Sequence, residues 1–132
     1  MSALLLAEEI ARVADQKQAN DIVILDLRGI SSITDFFVIC SGTSKPHLRA
    51  IRDEIKEQLR STHNRAPRGV DGKMDSQWTV LDYGDVIVHV FHPERRDFFS
   101  LEANWSDAPR IEWQPSPLPA SRTRLSGQPT AP

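Results

Sequence analysis

The side chains best suited to chemistry in this sequence are two pairs of residues near position 85. Asp82 and Asp85 are three residues apart, as are His89 and His92, so either pair could supply ligands to a metal ion. Aspartates beside a glycine are also usual turn residues, and the two histidines fall on either side of an expected change from strand to helix, with no third ligand nearby. No acid-x-acid pair occurs in the chain, although metal-dependent nucleotidyl transfer normally uses one. We therefore predict no metal, no cofactor and no catalytic activity.

A second candidate is the turn SGTSK at residues 41–45, which the sequence places between a strand and a helix. Backbone N–H groups at such a turn can hold a phosphate. The turn has neither the Walker spacing nor the dinucleotide-binding spacing, and capping of the following helix explains its residues as well. The alternative function is a nucleotide-binding or nucleotidyltransferase-like protein that uses Ser41 to Lys45, with Asp82 or Asp85 at a metal.

The segment WTVLDYGDVIVHVF at residues 78–91 predicts two short strands joined by a tight turn. Gly84 supplies the positive φ that a tight turn needs. With Tyr83 and Gly84 as the two loop residues, Leu81 faces Val86, and the pairing continues outward until Trp78 faces His89.

This pairing gives the predicted hairpin two different faces. One face packs under helices, and it carries Thr79, Leu81, Val86, Val88 and Val90. The other carries Trp78, Val80, Ile87, His89 and Phe91. The indole N–H and the imidazole of this second face need hydrogen-bond partners if they are buried. The second face is therefore the first place to look for a binding surface, although it is also what the other side of a covered core would look like.

The remaining pattern predicts an α/β (α+β) fold with one domain. Apolar spacing and capping residues indicate helices over residues 3–18 and from residue 45 to 59, and a helix that starts at Pro93. Strands are expected at residues 21–28, 36–41 and 69–72, besides the hairpin. The domain at residues 1–106 would have a mixed, roughly five-stranded sheet flanked by about three helices. Residues 107–132 are proline-rich and are predicted to form a disordered tail.

Composition favours a protein partner. The 132-residue chain has a formal net charge of −2 and a pI near 6.1, so it lacks the overall positive charge of a general nucleic-acid binder, and we expect little direct nucleic-acid contact. Its single cysteine, Cys40, lies in an apolar run and predicts a buried thiol. The sequence contains neither a signal-peptide pattern nor an apolar stretch of membrane-spanning length, so we predict a cytoplasmic protein without membrane contact.

Five segments, in this order along the chain, resemble the Iojap-related ribosomal silencing factor family, RsfS. They are SSITDFFVICSGTS (residues 31–44), the helix that contains Leu48 and Leu59, GVDG (69–72), WTVLDYGDVIVHVF (78–91) and RRDFFSLEANW (95–105). The first and fourth segments are the most diagnostic. The resemblance covers the chain from the first helix to Trp105 and excludes the tail.

The resemblance implies a protein without catalytic activity that binds the large ribosomal subunit through ribosomal protein uL14. It would block joining of the small subunit sterically and lower translation when nutrients are scarce. It also implies that the free protein can form a homodimer. The implied partner-binding residues are Trp78, Tyr83, Asp85, His89 and Phe91 from the hairpin, and Phe98, Leu101, Glu102 and Trp105 from the last helix. A dimerisation or adaptor module with an unrelated partner is a third hypothesis.

Overall fold

The computed structural model describes residues 2–71, 78–92 and 108–113 of the chain. In chain order its elements are α1 (Ala3–Gln16), β1 (Asn20–Asp26), β2 (Phe36–Ser41), α2 (Lys45–His63), β3 (Gly69–Asp71), β4 (Trp78–Asp82), β5 (Val86–Phe91) and β6 (Arg110–Ile111). The strands form one sheet in the order β3-β4-β5-β2-β1-β6. The β2–β5 pair is parallel and the other pairs are antiparallel. The predicted α+β class with a mixed sheet is confirmed, with six strands where about five were expected.

Both helices start where their sequences predict. Ser2 caps α1 by accepting a hydrogen bond from the Leu5 N–H, and Ser44 caps α2 by accepting one from the His47 N–H. Pro46 lies in the first turn of α2, where a missing N–H has no cost. The predicted third helix, which would begin at Pro93, lies outside the described residues.

The helices lie against one face of the sheet, which we call the first face. The buried side of α2 consists of four apolar residues at helical spacing, Leu48, Ile51, Ile55 and Leu59. They share a core cluster with Leu6 and Ile10 of α1 and with alternate residues of the strands, namely Ile24, Phe36, Val38, Cys40, Leu81, Val86, Val88 and Val90. Cys40 is buried here, as predicted. Burial of these side chains, at about 1.5–3 kcal/mol for each large one, holds the two helices on the sheet.

The hairpin differs from its prediction in register but not in its faces. The Tyr83 N–H donates to the Val86 carbonyl, so the loop residues are Gly84 and Asp85 rather than Tyr83 and Gly84. As a result Leu81 pairs with Val88, and Trp78 pairs with Phe91. Gly84 has φ +90°, while Asp85 keeps a negative φ, as in a type II′ turn. Moving the turn by one residue shifts each partner by two positions, so every side chain stays on its predicted face.

The sheet continues into the segment that the sequence predicted as a disordered tail. β6 pairs with β1 through Ile24–Ile111 and Leu25–Arg110, and the Asp26 N–H donates to the Pro109 carbonyl. Ala108 is buried against the second face of the sheet. Disorder is therefore the wrong description for residues 108–113, which form one edge of the sheet. Residues 114–132 lie outside the described part of the chain.

Candidate interaction surface

The face of the sheet opposite α1 and α2, which we call the second face, carries a row of aromatic rings. Its core cluster consists of Leu25, Leu27, Phe37, Ile39, Ile87, Phe91 and Ala108, with Val23, Trp78 and Val80 packed against it. The Trp78 and Phe91 rings are stacked with centroids 5.3 Å apart. The Phe37 ring meets His89 edge-on at 4.6 Å. Neither described helix lies over this face, although Ile39 and Phe91 on it are fully buried.

His89 is the unusual group of the second face. Its side chain is 8% exposed, and neither ring nitrogen has a hydrogen-bond partner among the described residues. Burial among aromatic rings lowers the pKa of His89 to about 4, because the charged imidazolium loses its hydration there. The imidazole is therefore neutral at physiological pH.

The structure separates the predicted partner-binding residues by accessibility. Phe91 is fully buried, Tyr83 is 4% exposed and His89 is 8% exposed, so these three contribute mainly to packing. Trp78 is half-buried, and the Asp85 side chain is 35% exposed. The four last-helix residues, Phe98, Leu101, Glu102 and Trp105, lie outside the described residues.

Tyr83 also lies apart from the other aromatic residues, because it packs in the first-face cluster. Burial raises the pKa of its hydroxyl to about 12, and the charge of Arg65 offsets part of that rise. The predicted set therefore does not form one patch. Trp78 lies opposite Phe91 at one end of the hairpin, while Tyr83 and Asp85 lie at the turn, about 17 Å away for five residues of strand.

Two arginines hold the hairpin turn. Arg65, just beyond the end of α2, donates to the Tyr83 carbonyl at 2.7 Å and to the Asp85 carboxylate at 3.2 Å. Arg68 donates to the Asp82 carboxylate at 3.2 Å. Turn formation and ion pairing therefore account for both aspartates that the sequence offered as metal ligands. Among the described residues, no cluster of three or more histidines, cysteines or acids has the geometry to hold a metal ion.

The loop between β1 and β2 lies directly beside this turn. The Asp35 and Phe36 N–H groups both donate to the Asp85 carbonyl, at 3.1 and 3.2 Å. Ile30 and Ile33 of this loop are 45% and 68% exposed, which is unusual for large apolar side chains in a fixed loop. From the sequence alone, residues 30–35 have the composition of a polar connection between two strands. The missed signal was the pair of isolated isoleucines between polar residues.

The phosphate-binding interpretation of residues 41–45 finds little support in the geometry. The Gly42 N–H donates to the Phe91 carbonyl, the Thr43 N–H donates to Nδ1 of His47, and the His47 N–H donates to the Ser44 hydroxyl. These N–H groups are therefore already engaged within the chain. The His47 ring also spans to α1, where its Nε2 lies 2.7 Å from the Lys17 carbonyl. The turn is a structural junction between β2, α2 and the end of α1.

Comparison with known proteins identifies the family to which this arrangement belongs. Residues 1–131 match the family model described as "Ribosomal silencing factor during starvation". The chain belongs to the ribosomal silencing factor family. The match continues past Trp105 into the segment that the sequence-based resemblance had excluded.

Individual relatives and a solved structure are also similar to this chain. The chain is 41% identical over 99 residues to ribosomal silencing factor RsfS of Bacillus subtilis, covering 75% of this chain and 83% of the relative. It is 32% identical over 93 residues to "Mitochondrial assembly of ribosomal large subunit protein 1" of Mus musculus, covering 69% of this chain and 41% of that protein. A solved structure from Chromobacterium violaceum shares the fold, with a TM-score of 0.76 at 22% identity over 92% of this chain and 95% of that one.

Two sequence segments that carry the family resemblance lie in contact in the fold. The SSITD and DYGD segments, which belong to the two most diagnostic stretches of the silencing-factor resemblance, are about fifty residues apart in sequence. In the fold they touch, through the hydrogen bonds from the Asp35 and Phe36 N–H groups to the Asp85 carbonyl.

Neither described helix of this family member is long and apolar enough to cross a bilayer.

Proposed function

We propose that the protein binds the large ribosomal subunit through ribosomal protein uL14 and sterically prevents the small subunit from joining. It would thereby lower translation in the cytoplasm when nutrients are scarce. The observation that carries this proposal is the match of residues 1–131 to a family of ribosomal silencing factors. The name of the mouse relative, which refers to the ribosomal large subunit, supports the choice of subunit.

The described part of the site favours binding over chemistry. Asp82 and Asp85 are engaged by Arg68 and Arg65, and the Gly42 and Thr43 N–H groups of the turn after β2 donate within the chain. An anti-association factor needs only to occupy space at the subunit junction, so its effect depends on affinity and position. We accordingly propose that the protein acts without catalysis.

Accessibility ranks the proposed contact residues. The Trp78 and Asp85 side chains are both partly exposed, and they lie about 17 Å apart along the hairpin. A standard interface buries about 800 Å² on each partner, a patch roughly 30 Å across, so a single partner can cover both. Phe98, Leu101, Glu102 and Trp105 complete the proposed surface on the basis of the family resemblance. A homodimer of the free protein would compete with the ribosome if it used the same patch.

Sedimentation with purified large subunits tests the binding step, and light scattering of subunit joining tests the block. We expect the protein to migrate with large subunits and to reduce the yield of joined ribosomes in proportion to its occupancy. Failure in both assays with folded protein would contradict the proposed function.

Trp78→Ala tests the proposed anchor. Loss of a partly buried aromatic anchor should weaken binding by more than ~1 kcal/mol, about fivefold in Kd. Trp113→Ala is a matched control, since Trp113 is another partly buried tryptophan, next to β6 and packed against the first-face cluster. Equal affinity for both variants, each shown to be folded by circular dichroism, would remove Trp78 from the interface.

A further inference from the structure

The loop before β2 and the hairpin turn present a fixed apolar projection at one end of the sheet. We name it the loop-turn surface and define it by Ile30, Ile33, Asp35 and Asp85. Ile33 is 68% exposed and Ile30 is 45% exposed. Large apolar side chains exposed on an ordered surface are candidates for contact with a partner.

Hydrogen bonds hold this projection in one shape. The Leu27 N–H donates to the Asp35 carbonyl at 2.8 Å, which closes the base of the loop. Within the loop, the Ile30 N–H donates to the Leu27 carbonyl, and the Ile33 N–H donates to the Ser31 hydroxyl. The Asp35 N–H then ties the loop to Asp85 of the turn. Because the loop is already ordered, a partner that covers Ile33 gains apolar contact at little cost in conformational entropy.

The charges around the loop-turn surface indicate what kind of partner fits it. Each nearby arginine faces its own carboxylate: Arg28 with Asp26 at 2.8 Å, Arg65 with Asp85 at 3.2 Å, and Arg68 with Asp82 at 3.2 Å.

Asp35 is the fourth carboxylate at this end. Asp35 is exposed, and it lies close enough to Arg28 to help raise the pKa of that guanidinium, although the hydrogen bond that Arg28 donates to Asp26 is the larger cause. Among the described residues at this end, four carboxylates against three guanidinium groups leave one net negative charge beside the isoleucines. Such a surface repels phosphates, and the arginines that might bind them are already paired.

We infer that the loop-turn surface is a docking site for a protein surface of the large subunit that offers an apolar pocket with a lysine or arginine at its rim. Ile33 fills the pocket and Asp35 faces the basic rim. The inference rests on the proposed function and makes it more specific, since it assigns the contact to a protein component and adds Ile33 and Asp35 to the residues predicted from the sequence. The partner is a protein and not rRNA.

Ile33→Asp tests the apolar part of the contact. The side chain is mostly in solvent, so the variant should fold, and Ile33→Ala provides a milder replacement at the same position. We expect Ile33→Asp to weaken sedimentation with large subunits about tenfold or more. Leu5→Asp is the matched control, because Leu5 is 51% exposed on α1, outside the loop-turn surface, and should bind as the unmodified protein does.

Asp35→Lys tests the charge. A basic rim on the partner predicts weaker binding for this variant, with a loss that shrinks as salt is raised. Tighter binding would point to phosphate contacts and would overturn the assignment to a protein.

Sedimentation of the unmodified protein in the same gradients distinguishes failure of the loop-turn surface from failure of the proposed function. If it binds and both Ile33 variants bind equally well, the loop-turn surface is not the docking site and the proposed function stands. If the unmodified protein itself does not bind, the proposed function fails and the inference fails with it.

Discussion

Replacing His89 with leucine should remove most of a measurable dependence of stability on acid pH. The unfolded chain takes up a proton at His89 near pH 6.5, whereas the folded protein resists protonation until about pH 4. Between these values the unfolded state binds more protons, so stability falls as the pH is lowered from about 6.5 to about 4. Well above pH 6.5, at about pH 7.5 and higher, the imidazole is neutral in both states and the effect vanishes.

The size of the effect follows from the two pKa values. Taking 6.5 for the unfolded chain and about 4 for the fold, linkage gives a loss of about 1 kcal/mol at pH 5.5 and roughly 2–3 kcal/mol at pH 4.5. Leucine has nearly the volume of histidine and needs no hydrogen bond, so His89→Leu should be at least as stable as the unmodified protein at pH 7.5.

Urea unfolding at a series of pH values, followed by circular dichroism, measures this difference. Stability curves for the two proteins should converge on the alkaline side and separate progressively below pH 6.5, with the variant more stable in acid. Asp26, whose carboxyl pKa is lowered by its hydrogen bond with Arg28, titrates below this window and is present in both proteins. Parallel curves from pH 7.5 to 4.5 would show that His89 is protonated or hydrogen-bonded in the fold, against the reasoning above.

Two further substitutions test the junction after β2. Gly42→Ala should lower the free energy of unfolding by about 1–3 kcal/mol, because the added Cβ would lie 2.8 Å from Cδ2 of the buried Leu48. Gly69→Ala is the near-neutral control in the same urea titration, since its Cβ would make only an ordinary contact at 3.9 Å. Ser44→Ala should lower the stability by about 1 kcal/mol through loss of the N-cap of α2. Ser61→Ala, at an exposed site in the last turns of that helix, is the control and should change the melting temperature little. Equal melting temperatures for the two variants would show that the Ser44 cap does not stabilise the protein.

The parts of the fold that the sequence predicted are those set by local periodicity. The alternation of residues 86–91 placed Val88 and His89 on opposite faces, and the helix spacing placed Ile55 in the core. The N-caps of both described helices could also be predicted, because Ser2 and Ser44 each precede an apolar pattern at helical spacing. These features depend on near neighbours, which the sequence shows directly.

The parts that were missed depend on tertiary contacts. Choosing Gly84 and Asp85 as loop residues over Tyr83 and Gly84 depends on bonds from Arg65 that come from a distant segment. The two residues of β6 are too few for a strand pattern, and only pairing with β1 orders them. The sequence also does not show which apolar side chains are exposed, since Phe91 is buried and Ile33 is exposed although both are large and apolar.

The parallel pairing of β2 with β5 has a consequence for how the chain is made. It joins Phe36 to Val86, fifty positions later, so the centre of the sheet cannot close until synthesis has passed residue 91. Until then β2 has an open edge, which a nascent chain must keep from pairing with other strands. We expect late, nearly all-at-once folding, so a protein proposed to restrain ribosomes would itself need almost a hundred residues of uninterrupted synthesis before it could act.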